Sequence, residues 1–164
     1  MLRGALTAFL LVFFLIAIAL SFNLSYTGSI VGNDFNAKEA IENPEKTIND
    51  YNQGFENIPS FARTLLGNER MNLIVKMDDG SKNQLGLVTK EGKIVEYSRE
   101  LLQNATIDVI TSEDVMNSIA WSGNPSQEFG SAIDDERIKL EPKRFTTSTK
   151  SFIAKIVLKI RSWF

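Results

Sequence analysis

The sequence predicts an α+β fold, with about five mostly antiparallel strands, helices packed on one face and an N-terminal transmembrane helix. Three observations lead to this prediction. Residues 5–22 form an apolar run without a charge. Apolar and polar residues alternate between Met71 and Tyr97, which is the periodicity of half-buried strands. Residues 106–140 follow the pattern strand, helix, small-residue break, helix, strand.

The apolar run Ala5–Phe22 has 18 residues, and about 20 apolar residues span a bilayer core. Because a signal-peptide core is usually only about 7–15 residues long, the length favours an anchor, or an uncleaved signal sequence. Cleavage stays open as an alternative, since residues 17–21 contain small residues at the spacing of a cleavage site. Arg3 precedes the run and the next basic residue is Lys38. This asymmetry predicts a single-pass membrane protein with a cytoplasmic amino terminus and an extracytoplasmic domain.

A polar, glycine-containing linker is predicted at residues 23–36, and the domain itself at residues 37–164. Its first part, residues 37–67, has a helical pattern with interruptions. Pro44 suits the first turn of one helix, and Pro59 suits the first turn of another, because proline is tolerated where a helix begins.

Two turns divide the alternating region into strands. Asp78–Ser81 contains an Asp-Gly pair, which tolerates positive φ, and Glu91-Gly92 forms a second turn. With two later apolar runs, the predicted strands cover residues 71–77, 85–89, 94–97, 107–110 and 138–140.

Helices are predicted on either side of a Gly-Asn-Pro break at residues 123–125. The first covers residues 113–120, with Thr111 or Ser112 as its cap. The second covers residues 126–133 and leads through an acidic turn to the last strand.

A basic amphipathic helix is predicted at residues 149–164. At about 100° per residue, its large apolar side chains fill one arc of the helical wheel and its Lys and Arg residues occupy most of the rest. We expect the apolar face to be buried, either against the sheet of the domain or in the bilayer surface.

Composition excludes several functions. The chain contains no Cys and no His, which removes thiol nucleophiles, Cys/His zinc sites and the usual general base. The acidic clusters Asp78-Asp79 and 134–136 lack the spacing of a calcium loop, so we interpret them as solvated turn residues. Residues 4–142 carry 11 basic and 20 acidic side chains, which argues against nucleic acid as a partner. We expect no catalytic residue, no cofactor and no metal.

The order of elements resembles the SCP2 (sterol carrier protein 2) sterol-binding-like domain. The resemblance runs from about Phe61 to Phe164. It includes the Asp79-Gly80 hairpin, the strand 107–110 before Ser112-Glu113-Asp114, and the segment from Asn124-Pro125 through Phe129. It implies an N-terminal helix, a run of antiparallel strands, two short helices, a last strand and a C-terminal helix that closes an apolar cavity. It also implies binding of lipids or other apolar molecules without covalent chemistry.

Candidate lining residues for such a cavity are apolar residues of the domain and of its last helix. A packed core would show the same periodicity, so both interpretations stay open. The candidates are Leu73, Val75, Leu87, Val109, Met116, Ile119, Trp121, Phe129, Phe152, Ile156 and Ile160.

The function expected from the sequence is a membrane-anchored, non-catalytic domain that binds lipid or another apolar ligand, with the lipid bilayer as its partner. The alternative is a structural or accessory subunit of a membrane or envelope assembly, with another membrane protein as its partner. Nothing in the sequence identifies the ligand.

The anchor interpretation predicts that Met1–Phe22 is retained on the mature protein. The intact mass of protein extracted from membranes should therefore equal that of the whole chain. A mature chain that begins near Leu20 or Phe22 would contradict the prediction and would indicate a secreted domain.

Overall fold

Residues 35–57 and 68–143 are described by the computed structural model of the chain. None of the helices within these two ranges combines the length and the apolar character that a membrane span requires. The predicted anchor, almost all of the linker, the helix after Pro59 and the amphipathic helix at residues 149–164 lie outside the described residues.

Two short helices open the described part of the chain, α1 (Ala37–Glu42) and α2 (Pro44–Gly54). The Asn36 side chain caps α1 by accepting a hydrogen bond from the Glu39 backbone N–H (3.1 Å). Asn43 alone separates the two helices and has a non-helical backbone conformation, so the helices form a kinked pair. Pro44 stands at the beginning of α2, as the sequence predicts. A 3₁₀ turn, Phe55–Asn57, follows.

A five-stranded sheet follows, and its spatial order is β3-β2-β1-β4-β5. The α+β class and the number of strands are confirmed. The sheet is mixed, however, whereas the sequence predicted a mostly antiparallel one, because β1 and β4 are parallel neighbours at its centre. Periodicity reports which residues are buried and carries no information on the direction of the neighbouring strand. The strands are β1 (Arg70–Lys76), β2 (Lys82–Lys90), β3 (Lys93–Ser98), β4 (Ile107–Ser112) and β5 (Lys139–Pro142).

Both hairpin turns form where the sequence predicts them. Gly80 has a φ of 84° in the β1–β2 turn. In the β2–β3 turn, Glu91 and Gly92 both have positive φ (53° and 86°), which matches the twist of the flanking strands. The Asn68 side chain accepts a hydrogen bond from the Glu91 backbone N–H (2.9 Å), which supports a conformation that a residue other than glycine rarely adopts.

Helices α3 (Glu113–Trp121) and α4 (Pro125–Asp134) lie between β4 and β5. Ser112 takes the cap position of α3, but its side chain makes no capping hydrogen bond and its hydroxyl instead contacts the Asp114 carboxylate. Thr111, the other predicted cap, is buried within β4. Asn124 caps α4 by accepting a hydrogen bond from the Gln127 backbone N–H (3.3 Å).

A single apolar cluster joins the helices to one face of the sheet. The odd-numbered residues of β1, among them Leu73 and Val75, are fully buried in this cluster. All four helices contribute buried side chains to it, for example Ile41, Met116 and Phe129. Because these side chains share one cluster with alternate residues of the strands, the helices pack on one face, as the sequence predicts.

The opposite face is crossed by the segment that connects β3 to β4, residues 99–106, here called the crossover segment. It passes so close to β2 that a Cβ at Gly86 would lie 2.7 Å from the backbone oxygen of Glu100 and 2.7 Å from Cγ of Leu102. Only a residue without a Cβ allows this approach.

A polar network fastens the crossover segment to the sheet. The Asn72 amide accepts a hydrogen bond from the Leu102 backbone N–H (2.7 Å) and donates one to the Leu102 carbonyl (3.3 Å). It also donates to the Asp108 carboxylate (2.8 Å), which forms an ion pair with Lys143. Asn72 and Asp108 are both buried, so their polar groups need the partners that they have here.

The Gly86→Ala variant should lower the free energy of unfolding by about 1–3 kcal/mol, because the added methyl group meets backbone that cannot simply move aside. Gly123→Ala is the matched control, since a Cβ there meets no atom within 4 Å, and it should change stability by less than about 0.5 kcal/mol. Urea unfolding of the full chain, followed by circular dichroism, measures both. Equal stabilities for the two variants would contradict the close approach.

A candidate apolar cleft between the helix pair and the sheet

An apolar cleft lies between the helix pair α1–α2 and strand β2, with α3 beside it. Seven of its eight lining residues are apolar, and they come from four separate elements of the fold. The lining residues are Ala40, Ile41, Pro44, Thr47, Ile48, Leu85, Leu87 and Met116.

Both helices of the pair contribute apolar side chains to the lining of the cleft. Ala40 and Ile41 lie in the last turn of α1, and Pro44 and Ile48 are four residues apart in α2, which places these two on one side of that helix. The hydroxyl of Thr47 donates to the backbone carbonyls of Ala40 (3.2 Å) and Asn43 (3.5 Å). Its donor is therefore used within the helix pair. None of the eight lining residues is charged, so the cleft offers a ligand no charged group.

The cleft is nearly closed. It contains about 10 Å³ of free space, which is about the room that a single water molecule needs. A buried water molecule needs two to four polar partners, and this apolar lining offers few of them. A larger molecule could enter only if the lining side chains moved apart.

Buried or partly buried hydrogen bonds hold the two ends of the helix pair. At the first end, the Asn117 side chain accepts from the Ala37 backbone N–H (2.9 Å) and Trp121 Nε1 donates to the Phe35 carbonyl (3.1 Å). At the second end, the Tyr51 hydroxyl donates to the Gly92 carbonyl (2.6 Å). The helix pair is thus tied to α3 at one end and to the β2–β3 turn at the other.

Most polar contacts at the kink between α1 and α2 are exposed, whereas the hydrogen bond from the Thr47 hydroxyl to the Ala40 carbonyl is partly buried. The Arg99 guanidinium donates to the Glu42 carbonyl (2.7 Å), and the Tyr97 hydroxyl donates to the Glu45 carboxylate (2.8 Å). Exposed polar contacts contribute little stability, since water replaces them readily. The cleft is lined by residues on both sides of this kink.

Three groups among residues 35–57 and 68–143 have a raised pKa. Burial raises the pKa of the Tyr51 phenol well above its usual value of 10.0. The hydrogen bond to Glu45 raises the pKa of the exposed Tyr97 phenol, and the hydrogen bond to Asp108 raises the pKa of Lys143. All three groups therefore hold their protons more strongly in the folded state than in an unfolded chain.

Eight of the sequence candidates lie within the described residues. Leu73, Val75, Leu87, Val109, Met116, Ile119 and Phe129 are all buried in the apolar cluster. Only Leu87 and Met116 also line the cleft. Trp121 lies apart from the cluster, with 58% of its surface exposed. Phe152, Ile156 and Ile160 lie outside the described residues, so their assignment to a cavity stays a prediction.

The position of Trp121 has a signal in the sequence. At about 100° per residue, Trp121 lies about 200° around the helix from Ile119, which is fully buried. Helical phase therefore places Trp121 on the outer side of α3, whereas its apolar character alone suggested the interior.

Six lining residues of the cleft were absent from the sequence candidates. Five belong to the helix pair, and their spacing of three and four residues was the signal that would have found them. Leu85 was recognised as a strand residue but not as part of a site. The six are Ala40, Ile41, Pro44, Thr47, Ile48 and Leu85.

Neither acidic cluster gathers metal ligands. Within residues 35–57 and 68–143, no group of three or more Asp or Glu side chains is arranged to hold a metal ion. In the β1–β2 turn, the Asp79 carboxylate instead accepts a hydrogen bond from the Ser81 backbone N–H (2.8 Å). Hydrogen bonds from Ser81 lower the pKa of this carboxyl group.

Comparison with known proteins finds distant structural similarity. No protein-family model and no curated protein matches the chain. The solution NMR structure of palmitated SCP2L2 from Aedes aegypti is 16% identical, with a TM-score of 0.44, and the match covers 77% of this chain and 95% of that one. The solution structure of the sterol carrier protein domain 2 of Helicoverpa armigera is 12% identical, with a TM-score of 0.45, and the match covers 82% of this chain and 96% of that one.

Stability should fall at alkaline pH because of the raised pKa values. The unfolded chain releases the Tyr51 proton near the ordinary pKa of 10.0, while the folded chain retains it. The stabilisation by this phenol is therefore complete below about pH 10 and is lost as the pH rises through the folded-state pKa. Tyr97 and Lys143 act in the same direction.

Tyr51→Phe tests this linkage. The variant should lose about 1–3 kcal/mol near pH 8, because the buried Gly92 carbonyl loses its donor, and its stability should then fall less steeply with pH than that of the parent chain. Tyr97→Phe, at an exposed hydrogen bond, is the comparison variant and should lose less near pH 8. Urea unfolding at several values between about pH 8 and pH 11 measures both. An unchanged alkaline slope in Tyr51→Phe would contradict the assignment.

Proposed function

We propose that this domain binds an apolar chain molecule, such as a fatty acid or another lipid, between the helix pair α1–α2 and strand β2. The observation that carries the proposal is the cleft itself, which has an apolar lining supplied by four elements. Pockets for apolar ligands are lined mainly in this way.

The element order supports the same function. Strands β1 to β4, two short helices and a last strand follow one another in the described residues, and they lie within the part of the chain on which the sequence resemblance to the SCP2 sterol-binding-like domain rests. The resemblance implies binding of lipid or apolar molecules without covalent chemistry.

Ligand entry would begin at the kink of the helix pair. The ends of the pair are held by buried or partly buried hydrogen bonds, whereas the contacts from Arg99 and Tyr97 at the kink are exposed. Breaking exposed contacts and separating apolar side chains would enlarge the cleft at a lower polar cost than breaking the bonds that hold the ends. The apolar surface of the ligand then replaces the contacts that the lining residues lose.

The domain is proposed to act without catalysis and at a membrane. The whole chain lacks Cys and His, so a thiol nucleophile and the usual general base are absent. Ala5–Phe22 is proposed as a retained, single-pass anchor, because its length without a charge suits a bilayer core. The distribution of basic residues supports a cytoplasmic amino terminus and an extracytoplasmic domain.

Photocrosslinking tests the binding site. The full chain in lipid vesicles is illuminated with a diazirine-bearing fatty acid, digested and analysed by mass spectrometry. The expected crosslinks lie in α1, α2 and the part of β2 around Leu85 and Leu87. Crosslinks confined to other parts of the chain, or no crosslink at all, would contradict the proposal.

Two Phe variants make the test specific. Ala40→Phe adds a ring to the cleft and should reduce crosslinking several-fold, because the ring takes the space of the ligand. Asn49→Phe adds the same ring at an exposed position of α2 and should leave crosslinking unchanged. Equal labelling of the two variants, with unchanged melting temperatures, would place the ligand elsewhere.

A further inference from the structure

The exposed end of α3 carries a large aromatic side chain whose polar atom is already satisfied. Trp121 is 58% exposed, and its indole Nε1 donates a hydrogen bond to the Phe35 carbonyl (3.1 Å). The ring can therefore leave water for an apolar surrounding without losing a hydrogen bond, and this removes the main cost of burying a Trp side chain.

The surface next to Trp121 carries no charge from its own chain segment. Residues 116–127 contain no Asp, Glu, Lys or Arg, although residues 4–142 together carry 20 acidic side chains. Gly123, Asn124 and Gln127 are exposed within this segment. We call Trp121 together with these three residues the Trp121 surface. A neutral surface of this kind escapes the repulsion that acidic side chains meet at an anionic membrane.

The hydrogen bond to Phe35 fixes the Trp121 surface beside the point where the preceding chain enters the domain. Twelve residues separate Phe35 from the apolar run Ala5–Phe22. Even fully extended, a segment of that length spans at most about 40 Å. If Ala5–Phe22 lies in a bilayer, the Trp121 surface is therefore held within that distance of the same bilayer.

We propose that the Trp121 surface rests on the headgroup region of the bilayer in which Ala5–Phe22 is anchored, with the indole ring among the lipid headgroups. Trp is enriched at this level of membranes because its ring is apolar and its N–H is polar. The inference rests on the proposed membrane anchor and adds an orientation of the domain, with the end of α3 towards the membrane.

Because the chain contains no Cys, a single introduced Cys can be labelled without a competing thiol. Gly123→Cys carries an environment-sensitive fluorophore beside Trp121, because a Cβ at Gly123 meets no atom within 4 Å. Val95→Cys is the control site, since Val95 is 59% exposed on the edge strand β3. Each full chain is reconstituted into vesicles of phosphatidylcholine and phosphatidylglycerol, and flotation establishes that it is bound.

The label at position 123 should shift to shorter emission wavelengths in vesicles and should be quenched by headgroup-nitroxide lipids at least twofold more than the label at position 95. In the Gly123→Cys background, Trp121→Ser should remove most of this difference while flotation is unchanged. Trp121→Phe keeps an aromatic ring but loses the hydrogen bond to Phe35, and it should retain most of the quenching.

Each opposite result overturns the inference. A chain that floats but shows equal quenching at the two positions retains its anchor and lacks the orientation. A label that is shielded without being quenched indicates that protein covers the Trp121 surface. Equal losses in Trp121→Ser and Trp121→Phe assign the effect to the hydrogen bond and not to contact with lipid. A chain that does not float contradicts the anchor and the orientation together, whereas crosslinking in the cleft tests the apolar ligand separately.

Discussion

The path of the crossover segment over the sheet is the constraint on which the rest of the fold depends. It brings β4 beside β1 in the parallel direction, and parallel neighbours need such a connection across a face of the sheet. Gly86 permits the path, and Asn72 fastens it through both hydrogen-bonding groups of Leu102. Because α3 follows β4 directly, this path also determines where Asn117 meets Ala37 at the first end of the helix pair.

The helix pair is attached to the rest of the domain by two kinds of contact, and their distribution relates the fold to the proposed function. Apolar contacts in its middle form the cleft, and hydrogen bonds to α3 and to the β2–β3 turn hold its ends. A packed core is dense enough that small losses of contact are costly, so an apolar ligand is accommodated most readily where few other interactions oppose separation. The kink at Asn43, where most of the polar contacts are exposed, is such a place.

One helix connects the two proposed membrane-related features. Met116 lines the cleft and Trp121 ends α3, and five residues of helix rise about 7.5 Å. Trp121 lies on the outer side of this helix, and the proposed entry of the ligand is at the kink beside Asn43. The orientation and the binding site are therefore separate proposals that share α3.

Local features of the sequence determined the elements, and long-range contacts decided their arrangement. Gly80 and Gly92 marked the turns, Pro44 and the Gly-Asn-Pro break marked helix boundaries, and alternation identified the buried face, because each depends on backbone preferences of a few residues. The parallel pairing of β1 with β4 could not be predicted in this way, since it joins segments more than 30 residues apart. Nor could the burial of Asn72, a polar residue at a solvent-facing position of the alternation, because the crossover segment that covers it is about 30 residues away in the sequence. The same holds for the candidate site. Periodicity indicated which faces are apolar. Tertiary packing decided that most of the predicted residues within the described ranges lie in the core and that the helix pair borders the cleft.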